Sequence, residues 1–352
     1  MADERLYQLA LLALYPYRLR QLHQLLAQLG SAHAVWDSLD DPLKAQAWAR
    51  AEQEAEWIAQ KGIQCWWHTD PDYPTRLREC ADRPLMLFGK GRINHSEGKM
   101  VSVVGTRRAT ERGKELARRL VLELAQECPD VTIISGLAYG IDVAAHRAAI
   151  EADLQTLIIP AHGLDRIYPA VHRPVAVEAL LNGGILTEYM SGTEPEKINF
   201  VARNRIVAGL ADAVVVVESR NRGGSLITAG LATDYNRDLF AFPGRPGDEE
   251  YRGCNDLIRL QRATLIDSAH DLVQAMGWQT QQPKQTRLFE GGEPTEDEGK
   301  LIRLLRQAED GMHINQLVAQ SGMDYAEVSG ELIMLEMEGK VRAVAGGIYR
   351  AI

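Results

Sequence analysis

Short apolar runs alternate with helical patterns along the middle of the chain. The runs are rich in β-branched residues, and most of the segments between them repeat apolar positions with helical spacing. The runs are VSVVG (101–105), VTIISG (131–136), QTLIIPA (155–161), GILTE (184–188), AVVVVES (213–219) and DLFAFPG (238–244). Strands joined by helices predict an α/β fold with a Rossmann-like, doubly wound and mostly parallel sheet, covered by helices on both faces.

The two ends of this region have other patterns. Leucines at helical spacing in residues 1–61, interrupted at Gly30-Ser31, predict a small helical module. Such a module could pack against a partner, bind DNA or cap the main domain. Residues 62–98 carry Pro and Gly punctuation, which indicates an ordered but irregular connector. We count it with the main domain, which then covers 62–278.

The C-terminal part predicts a linker and a further small domain. Residues 279–293 are polar with Pro and paired Gly, as linkers are. Residues 294–352 show three helical patterns and then two strand-like runs around Gly346-Gly347, which predicts a hairpin. This order is typical of a winged-helix-like domain. Its presumed recognition helix carries Asp324, Glu327, Glu331, Glu336 and Glu338. So acidic a helix is expected to contact protein or to be structural, because phosphates repel it.

Composition narrows the class of protein. The 352 residues are 45% hydrophobic, which fits a globular chain of two or three domains. No apolar stretch is long enough to span a bilayer and the N-terminal MADERLYQ is not a signal peptide, so we expect a cytoplasmic protein without membrane contact. The four cysteines are scattered, and no metal site is predicted. A net charge of −9 means that any nucleic-acid site must be a local basic focus.

The first candidate site follows the first predicted strand, because ligands of open α/β sheets bind beyond the carboxyl ends of the strands. Gly105 allows a tight turn, Thr106 continues it, and Arg107 and Arg108 supply fixed positive charge. Thr110 is the expected start of the next helix. Backbone N–H groups at a helix start favour an anion, and arginines bind phosphate with two parallel hydrogen bonds.

A second glycine-rich turn follows the fifth predicted strand. It contains Arg222, Gly223 and Gly224, with Ser225 as the expected helix cap and Thr228 one turn further on. This turn predicts a second anion-binding helix start. It lacks the lysine of a P-loop, which disfavours hydrolysis of nucleoside triphosphates.

A third turn follows the second predicted strand. Gly136 and Gly140 precede a helix with Asp142 and His146, and this spacing is not the dinucleotide fingerprint. Asp142 could cap that helix or contact a ligand. His146 lies four residues later on the same helical face, so we expect a His–Asp contact that holds the loop rather than catalysis.

Three polar residues, Arg203, Asn204 and Arg205, precede the fifth predicted strand. Helical spacing lets only one or two of them face one ligand, and ion pairing with the domain's acids is the alternative. Arginine-bearing glycine turns at two corresponding strand ends suit a backbone with several phosphates, such as single-stranded DNA or RNA. We identify no catalytic group and expect no cofactor.

Seven ordered segments carry a family resemblance. They are VVGTRRAT (103–110), ISGLAYGIDVAAH (134–146), HGLDRIYP (162–169), NGGILTEY (182–189), NFVARNRIVAGLADAVVVVES (199–219), GGSLITAGLA (223–232) and FAFPG (240–244). On these segments the chain closely resembles the DNA-processing protein A family, called DprA or Smf. The resemblance implies non-enzymatic, homodimeric single-stranded-DNA-binding proteins that protect incoming DNA and load the RecA recombinase during natural transformation.

The resemblance also implies particular residues and flanking modules. The family's DNA pocket would use Gly105, Arg107 and Arg222, and its dimer would form through the Rossmann-like domain. The N-terminal helices resemble the family's SAM-like or helix-hairpin-helix module, and the C-terminal domain resembles its winged helix. Gly223-Gly224-Ser225 replaces the family's frequent Ser-Gly-Ser, which keeps the backbone accessible.

Two other classes of function stay open at this stage. Nucleotide N-glycosidases share a Rossmann-like fold with a PGGxGT-type loop, but the glycine turn here lacks the catalytic glutamate that follows in that pattern. A scaffold that bridges a recombinase and another protein would need no nucleic-acid contact, and the arginines of the turns argue against it.

Overall fold

The computed structural model describes residues 4–16, 18–95, 98–278, 299–308, 311–344 and 347–352. The chain divides into two compact units, Met1–Thr280 and Gln281–Ile352. The predicted linker, 279–293, lies outside the described residues, so it stays a prediction. Within the described ranges, no helix is both long and apolar enough to cross a membrane.

The part of the first unit described before residue 62 contains four helices. They are α1 (Glu4–Leu14), α2 (Leu19–Leu29), α3 (Ala32–Ser38) and α4 (Lys44–Lys61). The interruption expected at Gly30-Ser31 is confirmed. Gly30 ends α2 in the left-handed conformation with φ of 85°, and the Ser31 side chain caps α3 by accepting the Ala34 N–H.

Among the described residues, the sheet of the first unit has nine strands. They are β1 (Gln64–Trp67), β2 (Met86–Gly91), β3 (Lys99–Val104), β4 (Val131–Ser135), β5 (Gln155–Ile158), β6 (Gly183–Thr187), β7 (Ala213–Val216), β8 (Asp238–Ala241) and β9 (Thr264–Leu265). Their order in space is β1-β2-β6-β5-β4-β3-β7-β8-β9. The last seven strands of this order, which begin with β6 and end with β9, pair with one another in parallel. The six predicted strands are confirmed.

The expectation of an irregular connector was wrong for much of residues 62–98. β1 and β2 pair antiparallel, with Cys65 opposite Phe88, and β2 pairs antiparallel with β6. Trp66, Trp67 and Leu87 are buried. The strands form because their aromatic and aliphatic side chains bury against the sheet and the N-terminal helices, a tertiary effect that overrides the Pro and Gly punctuation.

Helices cover both faces of this sheet. After α5 (Thr75–Arg78) come α6 (Glu111–Glu127), α7 (Ile141–Glu151), α8 (Arg173–Ala179), α9 (Lys197–Leu210), α10 (Gly224–Asp234), α11 (Arg252–Arg259) and α12 (Ala269–Ala275). Alternate residues of each central strand enter two separate cores. Val214 and Val216 of β7 pack in one core, whereas Val215 packs in the other. The predicted doubly wound architecture is therefore confirmed.

The N-terminal helices share a core with the sheet. Leu9 and Leu22 pack in one cluster with Trp67, Met86 and Phe88. A polar contact lies beside it, because the fully buried Glu54 of α4 accepts the backbone N–H of Ser191 at 2.8 Å.

The second unit has the predicted winged-helix order with one more short strand. It consists of α13 (Lys300–Arg306), β10 (Met312–His313), α14 (Ile314–Ser321), α15 (Tyr325–Met337), β11 (Val341–Val344) and β12 (Ile348–Ala351). The strands form an antiparallel sheet in the order β10-β12-β11. Leu301, Leu317, Leu332 and Val341 are among the residues of its core.

Candidate nucleic-acid interface

The turn after β3 is held by a glutamate of the neighbouring strand end. Glu218, just beyond β7, is fully buried. Its backbone carbonyl accepts the Thr106 N–H at 2.8 Å, and its carboxylate accepts the Thr110 hydroxyl at 2.6 Å. The Thr110 side chain also accepts the Gly113 N–H at 3.0 Å and caps α6, as the sequence predicted. The conformation of residues 105–110 is therefore fixed from two sides.

Two glycines of the site are required by packing. A Cβ atom on Gly105 would overlap the Ile141 side chain at the start of α7, and it would lie 3.0 Å from the Glu218 carbonyl oxygen. Gly140 has φ of +80°, and its Cβ would overlap the Thr106 carbonyl oxygen. These glycines bring the turns after β3 and β4 together.

A buried arginine supports the turn after β4. Arg203 of α9 is 3% exposed and donates to the carbonyl oxygens of Gly136, at 2.9 Å, and Ile159. The Asp142 carboxylate accepts the N–H groups of Gly136 and Ala138, at 3.2 and 3.4 Å. Burial raises the pKa of Asp142, and the charge of Arg203 opposes this shift. Arg203 lines the floor of the site and positions the turn.

The expected contact between His146 and Asp142 is wrong. His146 is fully buried, and its Nδ1 shares a hydrogen bond of 2.7 Å with the Thr156 hydroxyl of β5. Burial lowers the pKa of this histidine to about 3. His146 finds its partner on the neighbouring strand β5, whereas Asp142 accepts backbone N–H groups of the turn before α7.

The turn after β7 opens toward solvent at α10. Gly223 is the residue before the helix, so the expectation that Ser225 caps it was wrong. Ser225 is buried and its hydroxyl donates to the Ser219 hydroxyl at 2.9 Å. Apart from its chain neighbours and the backbone of its own helix, no heavy atom of the described residues would lie within 4 Å of a Cβ on Gly224. Asn204 reaches this turn and donates to the Gly224 carbonyl oxygen at 3.4 Å.

The three turns line one open pocket of about 210 Å³ at the carboxyl ends of β4, β3 and β7. The chain reverses its direction of strand addition between β3 and β7, which is where open α/β sheets bind ligands. The predicted residues in the pocket lining are Gly105, Thr106, Arg107, Gly136, Arg203, Asn204, Gly223, Gly224, Ser225 and Thr228. Gly140 lies beneath the first turn, and Arg108 and Arg222 are exposed within their turns.

The structure does not bring Arg205 to this pocket. Its guanidinium group pairs with the Glu188 carboxylate and donates to the Asp82 carbonyl oxygen at 2.6 Å, with the side chain 11% exposed. Burial raises the pKa of Glu188 and the charge of Arg205 opposes the shift. Residues two apart on a helix point to nearly opposite sides, so Arg203 and Arg205 cannot share a ligand.

An aromatic ring beside the pocket was missed by the sequence reasoning. The Phe200 ring centroid lies 4.8 Å from the guanidinium carbon of Arg107. Val201 and Ile227, 51% and 43% exposed, also line the pocket. The available signal in the sequence was Phe200 itself, three residues before Arg203 in the same predicted helix.

Exposed positive charge near the pocket comes from Arg107, which lines it, and from Arg108 and Arg222, which lie next to lining residues in the chain. Arg107, Arg108 and Arg222 are exposed and form no ion pair with the residues that the structure describes. By contrast, Arg220 pairs with Glu250. The pocket edge therefore provides the local basic focus that the acidic chain needs for contact with a polyanion.

Comparison with known proteins agrees with this fold. The family model described as DNA recombination-mediator protein A matches residues 64–277, and the DprA winged helix domain model matches 289–347. Protein Smf of Synechocystis is 35% identical over 83% of this chain and 81% of its own length.

Two solved structures are similar over much of the chain. DNA processing protein A (DprA) of Streptococcus pneumoniae is 32% identical with a TM-score of 0.61, covering 77% of this chain and 94% of its own. DNA processing protein A of Helicobacter pylori, whose single-stranded-DNA-binding mode has been described, is 30% identical with a TM-score of 0.55, covering 61% of this chain and 96% of its own. The chain belongs to the DNA recombination-mediator protein A family, the DprA/Smf proteins.

Proposed function

We propose that this protein binds single-stranded DNA at the pocket beyond β3, β4 and β7. The observation that carries the proposal is that two glycine-rich turns, each with exposed arginine in its sequence, line one pocket at the chain reversal, with Arg107 in the lining itself. The single-stranded-DNA binding described for the Helicobacter pylori relative supports it.

Each part of the pocket has a role in this proposal. The backbone N–H groups at the start of α10 bind one phosphate, and the open space over Gly224 lets the phosphate approach the helix closely. Arg107 and Arg222 contact phosphates on either side, and Arg108 adds charge along the strand. The ring of Phe200 offers a face on which a base can stack.

Membership of the family supports further proposals about location, oligomeric state and the recombinase partner. We propose a cytoplasmic homodimer, formed through the Rossmann-like domain, that protects incoming DNA and loads the RecA recombinase. We propose no catalytic activity. Asp142 of the pocket lining and the buried Glu218 accept backbone N–H groups that hold the turns, so both carboxylates have structural roles.

A binding titration tests the site. Fluorescence anisotropy with labelled oligo-dT compares wild type with Arg107→Ala/Arg222→Ala, and the expected loss of affinity is at least about tenfold. Arg118→Ala is the matched control, because this exposed arginine of α6 pairs with Glu151 and lies two turns beyond the site. The logarithmic salt slope should also decrease by about 0.7 for each lost phosphate contact. Equal affinity of wild type and double variant contradicts the proposed pocket.

A second assay tests the role toward the recombinase. RecA ATP hydrolysis on single strands covered by single-strand-binding protein reports filament assembly. Wild type should shorten the lag before hydrolysis, whereas Arg107→Ala/Arg222→Ala should not. A wild-type protein that binds oligo-dT but leaves the lag unchanged contradicts recombinase loading and leaves the DNA site standing.

A further inference from the structure

The exposed side of α15 is apolar where DNA-reading helices are basic. Ile333, Met334 and Met337 are 54%, 58% and 81% exposed. Ala326 and Gly330 are exposed on the same helix. At about 100° per residue, these five positions form one stripe along the helix.

The stripe lies opposite the face that α15 buries. Val328, Leu332 and Leu335 enter the core of the second unit. They fall about half a turn away from the stripe at the same spacing. The helix is therefore apolar on two faces, and the core of its own domain accounts for only one of them.

Acidic residues border the stripe on both sides. The segment from Asp324 to Glu338 holds five acidic residues and no lysine or arginine. Glu327, Glu331 and Glu338 fall on one side of the stripe, and Glu336 falls on the other. Two of these glutamates also contact residues of their own domain. Glu336 accepts the Ala343 N–H at 3.1 Å, and Glu338 pairs with Lys340.

The charge decides what can cover the stripe. A phosphate backbone is repelled by this border. The same face of a second copy is repelled as well, because its own border is acidic. A surface with an apolar strip between cationic side chains matches both the apolar character of the stripe and the negative charge of its border. Methionines suit such a surface, because they are flexible and adapt to the partner's shape.

We propose that the apolar stripe of α15 binds an amphipathic helix of a partner protein, whose apolar face is flanked by lysine or arginine. The partner helix would pack along α15 as the helices of a coiled coil pack on each other, with apolar anchors on the methionines and cationic side chains toward the glutamates. This assignment goes beyond the proposed DNA binding and does not depend on it.

A pair of matched peptides tests the proposal on the full chain. Two labelled helical peptides of about 18 residues, which is five turns, share one leucine stripe and differ only in lysine or glutamate flanks. The lysine-flanked peptide should bind at least about tenfold more tightly. Ile333→Ser/Met337→Ser should weaken its binding about tenfold, whereas Leu181→Ser should not. Leu181 is a 71% exposed leucine of the first unit and serves as the control.

A glutamine variant, sedimentation and DNA binding distinguish the proposed partner helix from other occupants of the stripe. Glu331→Gln/Glu338→Gln leaves the stripe intact and should reduce the preference for lysine flanks, so the proposal stays testable if the serine variant folds poorly. Equal peptide binding by wild type and serine variant overturns the proposal. Self-association in sedimentation that the serine variant abolishes would assign the stripe to a second copy and overturn it. Loss of oligo-dT affinity in the serine variant would assign the stripe to nucleic acid and would also overturn the proposal.

Discussion

The buried carboxylate of Glu218 accepts the hydroxyl hydrogen of Thr110 at 2.6 Å, and this bond ties the end of β7 to the start of α6. Glu218→Gln turns one acceptor oxygen into a donor that faces the Thr110 N–H and hydroxyl. We expect the free energy of unfolding in urea to fall by about 1–3 kcal/mol, because a buried polar group loses its partner. Oligo-dT affinity should fall as well. Glu111→Gln, on the exposed first turn of α6, is the control, and equal losses in both variants would contradict this role for Glu218.

Two glycines of one pocket should respond differently to alanine. Gly105→Ala places a methyl group on Ile141 and should destabilise the fold by about 1–3 kcal/mol. Gly224→Ala meets no described atom, and alanine favours a helix start over glycine, so the melting temperature should stay equal or rise. Its methyl group enters the space assigned to a phosphate, and oligo-dT affinity should fall about tenfold. Full affinity of Gly224→Ala would show that DNA does not approach this turn.

Removing Arg205 should affect stability rather than DNA binding. Arg205→Ala leaves the Glu188 carboxylate buried without its charge partner, so the free energy of unfolding should fall by about 3–5 kcal/mol. Adding Glu188→Gln to this variant should recover part of the loss. Arg107→Ala should show the reverse pattern, with unchanged urea unfolding and weaker oligo-dT binding. DNA affinity that depends on Arg205 in folded protein would contradict the position of its side chain.

Stability should decrease as the pH falls from 7 to 5. Burial lowers the pKa of His68 to about 4 and that of His146 to about 3, whereas an unfolded histidine titrates near 6.5. At these two sites the unfolded chain therefore binds more protons than the folded one below about pH 6.5, and each such histidine removes up to about 1.4 kcal/mol per pH unit. Urea unfolding at pH 7, 6 and 5 measures the slope. His146→Gln should flatten it, and the exposed His270→Gln should not.

The sheet and the turns of the site could be predicted from the sequence because their signals are local. The β-branched runs mark β3 to β8, and the switch-point rule places Gly105, Arg107 and Gly224 at one edge. β1 and β2 escaped prediction because Pro and Gly surround them in the sequence and because they gain their stability from distant partners. The side-chain directions of Arg203 and Arg205 escaped as well. They depend on which carbonyl and carboxylate groups the fold brings to each side of α9.

The core that the N-terminal helices share with β2 restricts how the chain can be rebuilt. Leu9 and Leu22 rest on Met86 and Phe88, and Glu54 is satisfied by the backbone after β6. A chimera that exchanges residues 1–61 for the helices of a relative would set a foreign helical surface on these side chains and leave Ser191 without its acceptor. The matching faces of β2 and the Glu188–Thr193 segment would have to be exchanged together with the helices.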